Sequence, residues 1–306
     1  MRRAFADTLV QMARADDRII FLTGDLGFQV FDAFCAEFPR RYLNVGVAEA
    51  HLVDCAAGLA LEGWRPVVYS IASFLTGRAF EQLRLSVGYH QLPVIVAGAG
   101  GGYIYAPSGV THHAKEDVAL MSLIPGMTVT VPGDPTEMAE LLPQLARLPG
   151  PSYIRVGRFG EPRLDSAEPI EVGRGRCVRP GRGVAVLTTG GAVIPAVKAV
   201  DSLAAEGIEP LLAHFHTVRP LDLSLVNAAA AVASTFIIVE EHGIQGGLYN
   251  TVAAWAAEQR SPVALKRLGP DDELVFGNPH YDDLLRQTGI EAGAIGDTVR
   301  QFWSPD

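Results

Sequence analysis

The sequence predicts an α/β protein with two doubly wound, mainly parallel sheets covered by helices. Short runs of β-branched residues recur along the chain, and each is followed by a longer Ala/Leu-rich segment of helical length. The runs are continuously apolar instead of alternating, which is typical of strands buried on both faces. A length of 306 residues, with 48% hydrophobic and 19% charged residues, is enough for two cores.

The first half of the chain begins with an amphipathic helix and continues with alternating strands and helices. The predicted strands share a Val/Ile-rich centre and cover 18–25, 42–50, 65–71, 92–100, 127–133 and 152–157. The predicted helices lie between them, at 49–63, 74–89, 115–124 and 135–147. Asp134 precedes Pro135, and Glu137 follows three residues after the aspartate, which is a good helix start. The alternation favours βα units and a parallel sheet.

The second half repeats this rhythm after a break. Residues 158–182 are rich in Gly, Pro and Arg and lack helical periodicity, so we interpret them as a linker between domains at 1–157 and 183–306. Predicted strands follow at 184–191, 209–217, 235–243 and 262–269, with helices near 192–206, 222–233 and 247–260. A second, smaller doubly wound sheet is therefore expected.

Charge and cysteine content exclude several classes of function. Lys plus Arg number 25 against 34 Asp plus Glu, giving a net charge of -9, so nucleic acid and anionic membranes are poor default partners. The spacing of Cys35, Cys55 and Cys177 fits neither a disulfide framework nor a zinc site. The uncharged stretch between Arg84 and Lys115 is interrupted by Pro and Gly, which argues against a membrane span. The first residues lack a signal-peptide core, and we expect a reduced, cytoplasmic protein.

The strand-to-helix loops are the first places to look for a site, because open parallel sheets bind ligands beyond the carboxyl ends of their strands. The glycine cluster at 98–102 lacks the third glycine of a dinucleotide fingerprint, which disfavours nicotinamide binding. The sequence has no P-loop and no G-x-S-x-G elbow. Taken alone, Glu49 also fits a helix-dipole carboxylate, His112 a satisfied loop histidine and Arg155 an ordinary ion pair.

Four segments in order resemble the pyrimidine-binding and C-terminal domains of transketolase. They read GDLGFQVFDAFCAEFPRRYLNVGVAEAH, YSIASFLTGRAFEQLRLSVGYHQLPV, SGVTHHAKEDVALMSLIPGMTVTVPGDPTE and TFIIVEEHGIQGGL. The resemblance runs over nearly the whole chain. The pattern of motifs in the chain is similar to that of the split transketolases, in which the diphosphate-binding domain is a separate polypeptide. The 1-deoxyxylulose-phosphate synthases and the β subunits of 2-oxo-acid dehydrogenases share this architecture.

The resemblance implies thiamine diphosphate as the cofactor. Glu49 falls on the glutamate that contacts the pyrimidine ring nitrogen and supports the proton relay of cofactor activation. Phe74 falls on an aromatic position that packs on the pyrimidine. Ile71, which replaces an expected aromatic, and Asp25, in the loop after the first strand, are further candidate cofactor contacts.

The resemblance also implies substrate contacts. His112 in GVTHH matches the catalytic histidine that approaches the substrate oxygen, and Arg155 in YIRVGR matches the arginine that binds the substrate phosphate. Ser108 stands where the family usually has an acid that reads sugar hydroxyls, and Gly100 stands where it has a histidine or aspartate. These departures predict a specialised sugar or sugar-like substrate.

The missing parts of the family pattern predict a partner. No Gly-Asp-Gly motif occurs in the chain, so we assign it no metal ligand and expect an N-terminal, diphosphate-binding subunit to hold the diphosphate and Mg²⁺. An α2β2 heterotetramer is the simplest assembly. For the Glu-Glu-His-Gly run at 240–243 and the Gly-Gly pair at 246–247, the resemblance implies a mainly structural role with dimer contacts and no catalysis.

The leading hypothesis is the C-terminal subunit of a two-component transketolase-like enzyme that moves a ketol unit between sugars. The alternatives are a pyruvate- or 2-oxo-acid-using carboligase or dehydrogenase β subunit, and a non-catalytic assembly or regulatory subunit.

Overall fold

The computed structural model describes residues 1–158, 160–164, 168–259 and 263–303. The predicted helix at 247–260 and the predicted strand at 262–269 therefore each have one end, at 260 and 262, outside the described residues. None of the helices in this part of the chain is long and apolar enough to cross a membrane.

The first sheet is parallel apart from one edge strand. Its strands are β1 Ile19–Thr23, β2 Tyr42–Asn44, β3 Arg65–Ile71, β4 Ile95–Ala99, β5 Thr128–Thr130, β6 Ser152–Val156 and β10 Thr217–Arg219. They lie in the order β10-β5-β6-β4-β3-β1-β2, with β10 antiparallel to β5. The helices around it are α1 Arg2–Ala15, α2 Asp32–Glu37, α3 Glu49–Leu61, α4 Phe80–Gln82, α5 Asp117–Ser122 and α6 Pro135–Leu145.

Both faces of this sheet are buried, as the apolar runs predicted. Leu22 and Val68 belong to the core on one face, whereas Phe21 and Tyr69 belong to the core on the other. Successive strand residues point to opposite faces, so a strand covered on both sides needs apolar residues at every position. This arrangement leaves the carboxyl-end loops as the accessible edge of the sheet.

The second sheet has the order β12-β11-β8-β9-β7. Its strands are β7 Arg176–Arg179, β8 Gly183–Thr188, β9 Leu211–His214, β11 Ala233–Val239 and β12 Ala264–Leu268, with β7 antiparallel to β9. The helices are α7 Val193–Ala204, α8 Leu223–Val232, α9 Leu248–Ala257, α10 Tyr281–Gln287 and α11 Ala292–Phe302. The two sheets confirm the predicted fold class.

The helices α2, α10 and α11 were not predicted from the sequence, and three predicted segments have a different structure. The strand β7 lies inside 158–182, the segment that we interpreted as a linker. The single strand predicted at 209–217 ends at His214, and the chain then enters the first sheet as β10. The helix predicted at 74–89 is a chain of π-helical turns, Phe74–Arg78 and Leu83–Tyr89, around α4. Such π turns are rare and often occur at functional sites.

Candidate active site

The carboxylate of Glu49 lies at the carboxyl ends of β1 and β3. Glu49 is the first residue of α3, where the helix dipole favours a negative charge, and only 1% of it is exposed. Ser70, near the end of β3, donates its hydroxyl hydrogen to Oε1 at 3.1 Å. Arg78 donates from Nη1 to Oε2 at 2.6 Å and forms an ion pair with the carboxylate. The carboxylate therefore has a fixed position and a partner on each oxygen.

Two rings are linked to this carboxylate through Arg78. The guanidinium carbon of Arg78 lies 4.8 Å from the centre of the Phe74 ring, a cation–π arrangement. The Phe74 ring lies edge to face with His112, with ring centres 5.0 Å apart. The structure thus brings together Glu49, Phe74 and His112, three residues that the sequence placed in one site.

Asp25 lies in the loop after β1, and Ile71 is the last residue of β3, next to Ser70. Asp25 is exposed, has a positive φ of 58° and exchanges two hydrogen bonds with Asn44. A Cβ on the neighbouring Gly24 would lie 3.8 Å from Oε1 of Glu49, which shows how close the β1 loop comes to the carboxylate. Ile71 is half-buried at the end of β3.

Ser108 and Gly100 belong to the loop that carries His112. Ser108 ends a short 3-10 turn and is exposed. Gly100 is buried with a φ of 78°, and a Cβ on it would collide with the ring of Tyr105. The centre of the Tyr105 ring lies 6.2 Å from that of His112. Tyr105 therefore fills the space that a side chain at position 100 would need.

Arg155 lies apart from the Glu49 cluster. It is buried on β6, where it contacts Glu241 of the second domain. Its Nε donates to Asp117 Oδ2 at 2.9 Å, its Nη2 donates to Asp117 Oδ1, and its Nη1 donates to the carbonyl of Glu241 at 3.1 Å. Burial alone would lower the pKa of Arg155, but the adjacent Asp117 carboxylate outweighs it and the pKa is raised. The guanidinium is thus held on two sides by the protein itself.

A cavity of about 350 Å³ opens between the two domains next to Arg155. Its walls include Arg158, Lys198 and Tyr281, while Glu49, Phe74 and His112 do not line it. Arg155 therefore faces a different space from the Glu49 cluster.

The Glu-Glu-His-Gly run at the end of β11 joins the two domains. Glu241 accepts hydrogen bonds from the backbone N–H of Tyr103, at 3.2 Å, and from the hydroxyl of Tyr281. The next residue, His242, accepts from the backbone N–H of Ala119 at 3.1 Å through Nε2. These contacts agree with a structural role for the run.

Sequence reasoning missed Arg78, Ser70 and Asp117 as parts of these sites. The position of Arg78 gave a usable signal, because it follows Phe74 by four residues in a segment that we predicted to be helical, and such residues share a face. Asp117 gave no comparable signal, since its partner Arg155 is distant in the sequence.

Known protein families match both halves of the chain. Residues 1–159 match the pyrimidine-binding domain of transketolase, and residues 173–295 match the transketolase C-terminal domain. The chain belongs to the transketolase family. This confirms the resemblance that the four sequence segments indicated. The sheet edge that holds Glu49 belongs to the pyrimidine-binding domain.

Transketolase-family relatives of two lengths are similar to the chain. One of the subunits of apulose-4-phosphate transketolase from Phocaeicola vulgatus is 31% identical, over 98% of this chain and 96% of that protein. A 6-deoxy-6-sulfo-D-fructose transketolase subunit from Clostridium sp. (strain MSTE9) is 35% identical, over 96% and 92%. The 1-deoxy-D-xylulose-5-phosphate synthase of Chlorobium luteolum is 35% identical over 98% of this chain, which spans only 48% of that enzyme.

A solved structure of the family has the same fold over the same length. It is described as a split gene transketolase, an inactive β4 tetramer, and it superposes with a TM-score of 0.88 at 33% identity. The match covers 98% of this chain and 97% of that one.

Proposed function

We propose that the chain is the C-terminal subunit of a two-component, thiamine-diphosphate-dependent transketolase-like enzyme. The enzyme transfers a two-carbon ketol unit from a ketose donor to an aldehyde acceptor. The observation that carries the proposal is the cluster in which Arg78 links the buried Glu49 carboxylate to the Phe74 ring, with His112 against that ring. Glu49, Phe74 and His112 are the residues that the family resemblance assigns to the cofactor pyrimidine and to proton transfer.

The side chains around Glu49 suit the pyrimidine half of the cofactor, because they combine a carboxylate with apolar contacts. Thiamine diphosphate, when bound, supplies the electron sink for the two-carbon fragment. Glu49 would bind the ring nitrogen and share its proton, and Ser70 holds that carboxylate in place. Phe74 and Ile71 would give apolar contact to the ring, and Asp25 would border it from the β1 loop.

His112 is proposed as the group that holds or delivers a proton at the substrate oxygen. The hydroxyl oxygen of Thr111 lies 2.9 Å from His112 Nδ1, which orients the imidazole. With Nδ1 engaged, Nε2 is the ring nitrogen that can face a ligand.

The substrate is proposed to be a specialised sugar or sugar derivative. Ser108 stands where the family usually has an acid that reads sugar hydroxyls, and Gly100 stands where it has a histidine or aspartate. Tyr105 occupies the space beside Gly100. Two relatives are named for unusual sugars, apulose 4-phosphate and 6-deoxy-6-sulfo-D-fructose, which supports this choice.

Arg155 is proposed to meet the anionic group of the substrate, with Asp117 fixing its orientation. Because Arg155 lines the cavity between the domains and not the Glu49 cluster, the anionic end of the substrate would lie in that cavity. A guanidinium suits a phosphate, a sulfonate or a carboxylate.

The diphosphate and Mg²⁺ are proposed to be bound by a separate N-terminal subunit in an α2β2 assembly in the cytoplasm. Two apolar side chains are strongly exposed near the Glu49 cluster, Phe28 at 74% and Val47 at 68%. They lie on the β1 and β2 loops, which Asn44 ties together. An exposed apolar patch beside a site is typical of a surface that a partner covers.

The partner surface can be tested with Val47→Glu. A charge buried at an interface without a partner weakens association, so we expect Val47→Glu to reduce binding to the N-terminal subunit in size-exclusion or calorimetric titration. Leu61→Glu is the matched control, because Leu61 is 65% exposed at the opposite end of α3, ~18 Å along the helix. Equal association of both variants would contradict this surface.

The function can be tested with Glu49→Gln in the reconstituted complex. Gln keeps the size of the side chain but cannot take the proton, so we expect ketol transfer to fall by at least about 100-fold. Glu62→Gln, at the exposed residue that follows the same helix, should leave the rate unchanged. Full activity of Glu49→Gln would contradict the proposal and favour a non-catalytic assembly subunit.

A second candidate function is decarboxylating use of pyruvate or another 2-oxo acid. The 35% identity to a 1-deoxy-D-xylulose-5-phosphate synthase favours it. Release of CO₂ from pyruvate by the complex would support this candidate, whereas ketol transfer without CO₂ would support the first.

A further inference from the structure

The carboxylate of Glu49 is closed to solvent by its own neighbours. Glu49 is 1% exposed, with Ser70 bound to one oxygen and Arg78 to the other. A ring nitrogen of a ligand can reach either oxygen only if a covering group moves. The covering groups therefore decide how a ligand enters.

Arg78 is the group that can move. Its side chain is 51% exposed and sits on a π-helical turn, whereas Ser70 is buried on β3, an interior strand of the sheet. Rotation of the long arginine side chain toward water needs no change of the sheet. The exposed side of the ion pair also weakens it, because water screens the charges.

Arg78 makes the two contacts that a planar ring with nitrogen atoms could make at the same place, a hydrogen bond to Glu49 and stacking on Phe74. Its guanidinium donates an N–H to the Glu49 carboxylate at 2.6 Å, and it lies over the Phe74 ring at 4.8 Å. A guanidinium is flat, donates in its plane and stacks on aromatic faces. An aminopyrimidine has the same shape and the same two kinds of contact.

We propose that the guanidinium of Arg78 exchanges places with the cofactor pyrimidine on Glu49 and Phe74. This inference rests on the proposed function, because it takes Glu49 and Phe74 as the pyrimidine contacts. Arg78 then acts as a positioning residue that gives the buried carboxylate a donor whenever the pyrimidine is not on it. Loss of the partner of a buried carboxylate destabilises the fold. The exchange therefore keeps the surroundings of Glu49 stable whether or not the cofactor is bound.

Competition between Arg78 and the pyrimidine for Glu49 and Phe74 lowers the affinity of the protein for the cofactor, and this can be measured. Removal of the guanidinium by Arg78→Ala should tighten the binding of thiamine diphosphate with Mg²⁺ to the complex by about tenfold, or ~1.4 kcal/mol. Arg78→Gln, which keeps much of the side-chain volume, should act in the same direction. Arg84→Ala removes an exposed arginine from the same helical segment and should leave the affinity unchanged.

The test is a calorimetric titration of thiamine diphosphate with Mg²⁺ into the complex of this chain with its N-terminal partner. The Arg78→Ala complex should also regain the weaker wild-type affinity when methylguanidinium is added at millimolar concentration, because the free ion fills the same place. A merely structural role of Arg78 would not give this competition. Circular dichroism of each variant checks the fold.

The outcomes separate the exchange from the proposed function. Unchanged or weaker cofactor binding by Arg78→Ala and Arg78→Gln, in a complex whose wild type binds, would overturn the exchange and leave the function standing. Absence of binding by the wild-type complex would overturn both. Tighter binding that methylguanidinium reverses supports the exchange.

Discussion

The guanidinium of Arg155 and the carboxylate of Asp117 form a bidentate ion pair that is buried between β6 and α5. Tyr153 adds a hydrogen bond from its hydroxyl to Asp117 Oδ2, and the carbonyl of Glu241 accepts from the other side of the guanidinium. Burial alone would raise the pKa of Asp117, but the charge of Arg155 outweighs it and holds this pKa below its usual value. The pair thus fixes the orientation of the arginine that faces the cavity between the domains.

Breaking this pair should destabilise the protein strongly. Asp117→Asn leaves a buried guanidinium without its counter-charge, so we expect the free energy of unfolding to fall by about 3–5 kcal/mol. Urea denaturation followed by circular dichroism measures it. The matched control is Glu37→Gln at the exposed Arg14–Glu37 pair, which should cost no more than about 1 kcal/mol. Similar losses in both variants would show that the buried pair has no special role.

A second buried cluster ties the domains together around Glu137 of α6. Arg176 and His214, both from the second sheet, contact its two carboxylate oxygens, and the backbone N–H of Gly133 donates to Oε2 at 2.7 Å. Burial would raise the pKa of Glu137, but His214, His216 and the Gly133 N–H outweigh it and lower this pKa from 4.5 to about 2. The unfolded chain therefore binds more protons than the folded one between these values.

The stability contributed by Glu137 should be present above pH 4.5 and lost as the pH falls toward 2. Glu137→Gln should lower the free energy of unfolding at pH 7, and its difference from wild type should shrink below pH 4.5, in urea titrations at each pH. Glu62→Gln, at an exposed position, should keep the wild-type pH dependence. A difference that stays constant down to pH 2 would contradict the lowered pKa.

Much of the first sheet was readable from the sequence because its strands are buried on both faces. Continuous apolar runs located the buried parallel strands β1 and β3 to β6, whereas β2 is a short, largely exposed edge strand. The position of Glu49 at the start of a predicted helix placed it at the edge of the sheet. The same reasoning could not assign strands to sheets. The predicted strand at 209–217 leaves one sheet after His214 and pairs in the other as β10, and apolarity alone does not encode that exchange.

The side-chain partners were less predictable than the strands. Glu49 and Phe74 were placed by their motifs, but the ion pair of Glu49 with Arg78 depends on how α3 packs against a π-helical turn. The sequence predicted an α-helix there. Arg155 was recognised as a candidate substrate contact, while its engagement with Asp117 depends on tertiary packing.

Two buried histidines should make the protein sensitive to mild acid. Burial lowers the pKa of His216 and of His242 from 6.5 to about 4. The charged groups that face His242 are Asp117, Arg155 and Arg267, of which Asp117 alone favours the protonated form. Each histidine therefore contributes stability that is present above pH 6.5 and lost as the pH falls toward 4.

The replacement His242→Gln tests this sensitivity. The amide oxygen of Gln can still accept the N–H of Ala119, but the side chain does not titrate. We expect the free energy of unfolding of the variant to decline less than that of wild type between pH 6.5 and 4. The exposed His90→Gln should decline as wild type does. Parallel curves for all three proteins would rule out a contribution from His242.

The contact between Gly100 and Tyr105 can be measured by a double-mutant cycle. Gly100→Ala adds a methyl group that collides with the Tyr105 ring, at a φ of 78° that non-glycine residues disfavour. We expect a loss of unfolding free energy well above the ~1–2 kcal/mol of backbone strain alone. In the Tyr105→Ala background, the further cost of Gly100→Ala should fall to about the strain value, because the collision is removed.

The strain value itself comes from Gly63→Ala. Gly63 has a φ of 89°, and a Cβ there has open space around it, so this variant reports the backbone cost without a collision. Equal costs for Gly100→Ala with and without Tyr105 would show that the ring moves aside freely. In that case Tyr105 would not restrict the space at position 100, and the statement that its ring fills this space would be wrong.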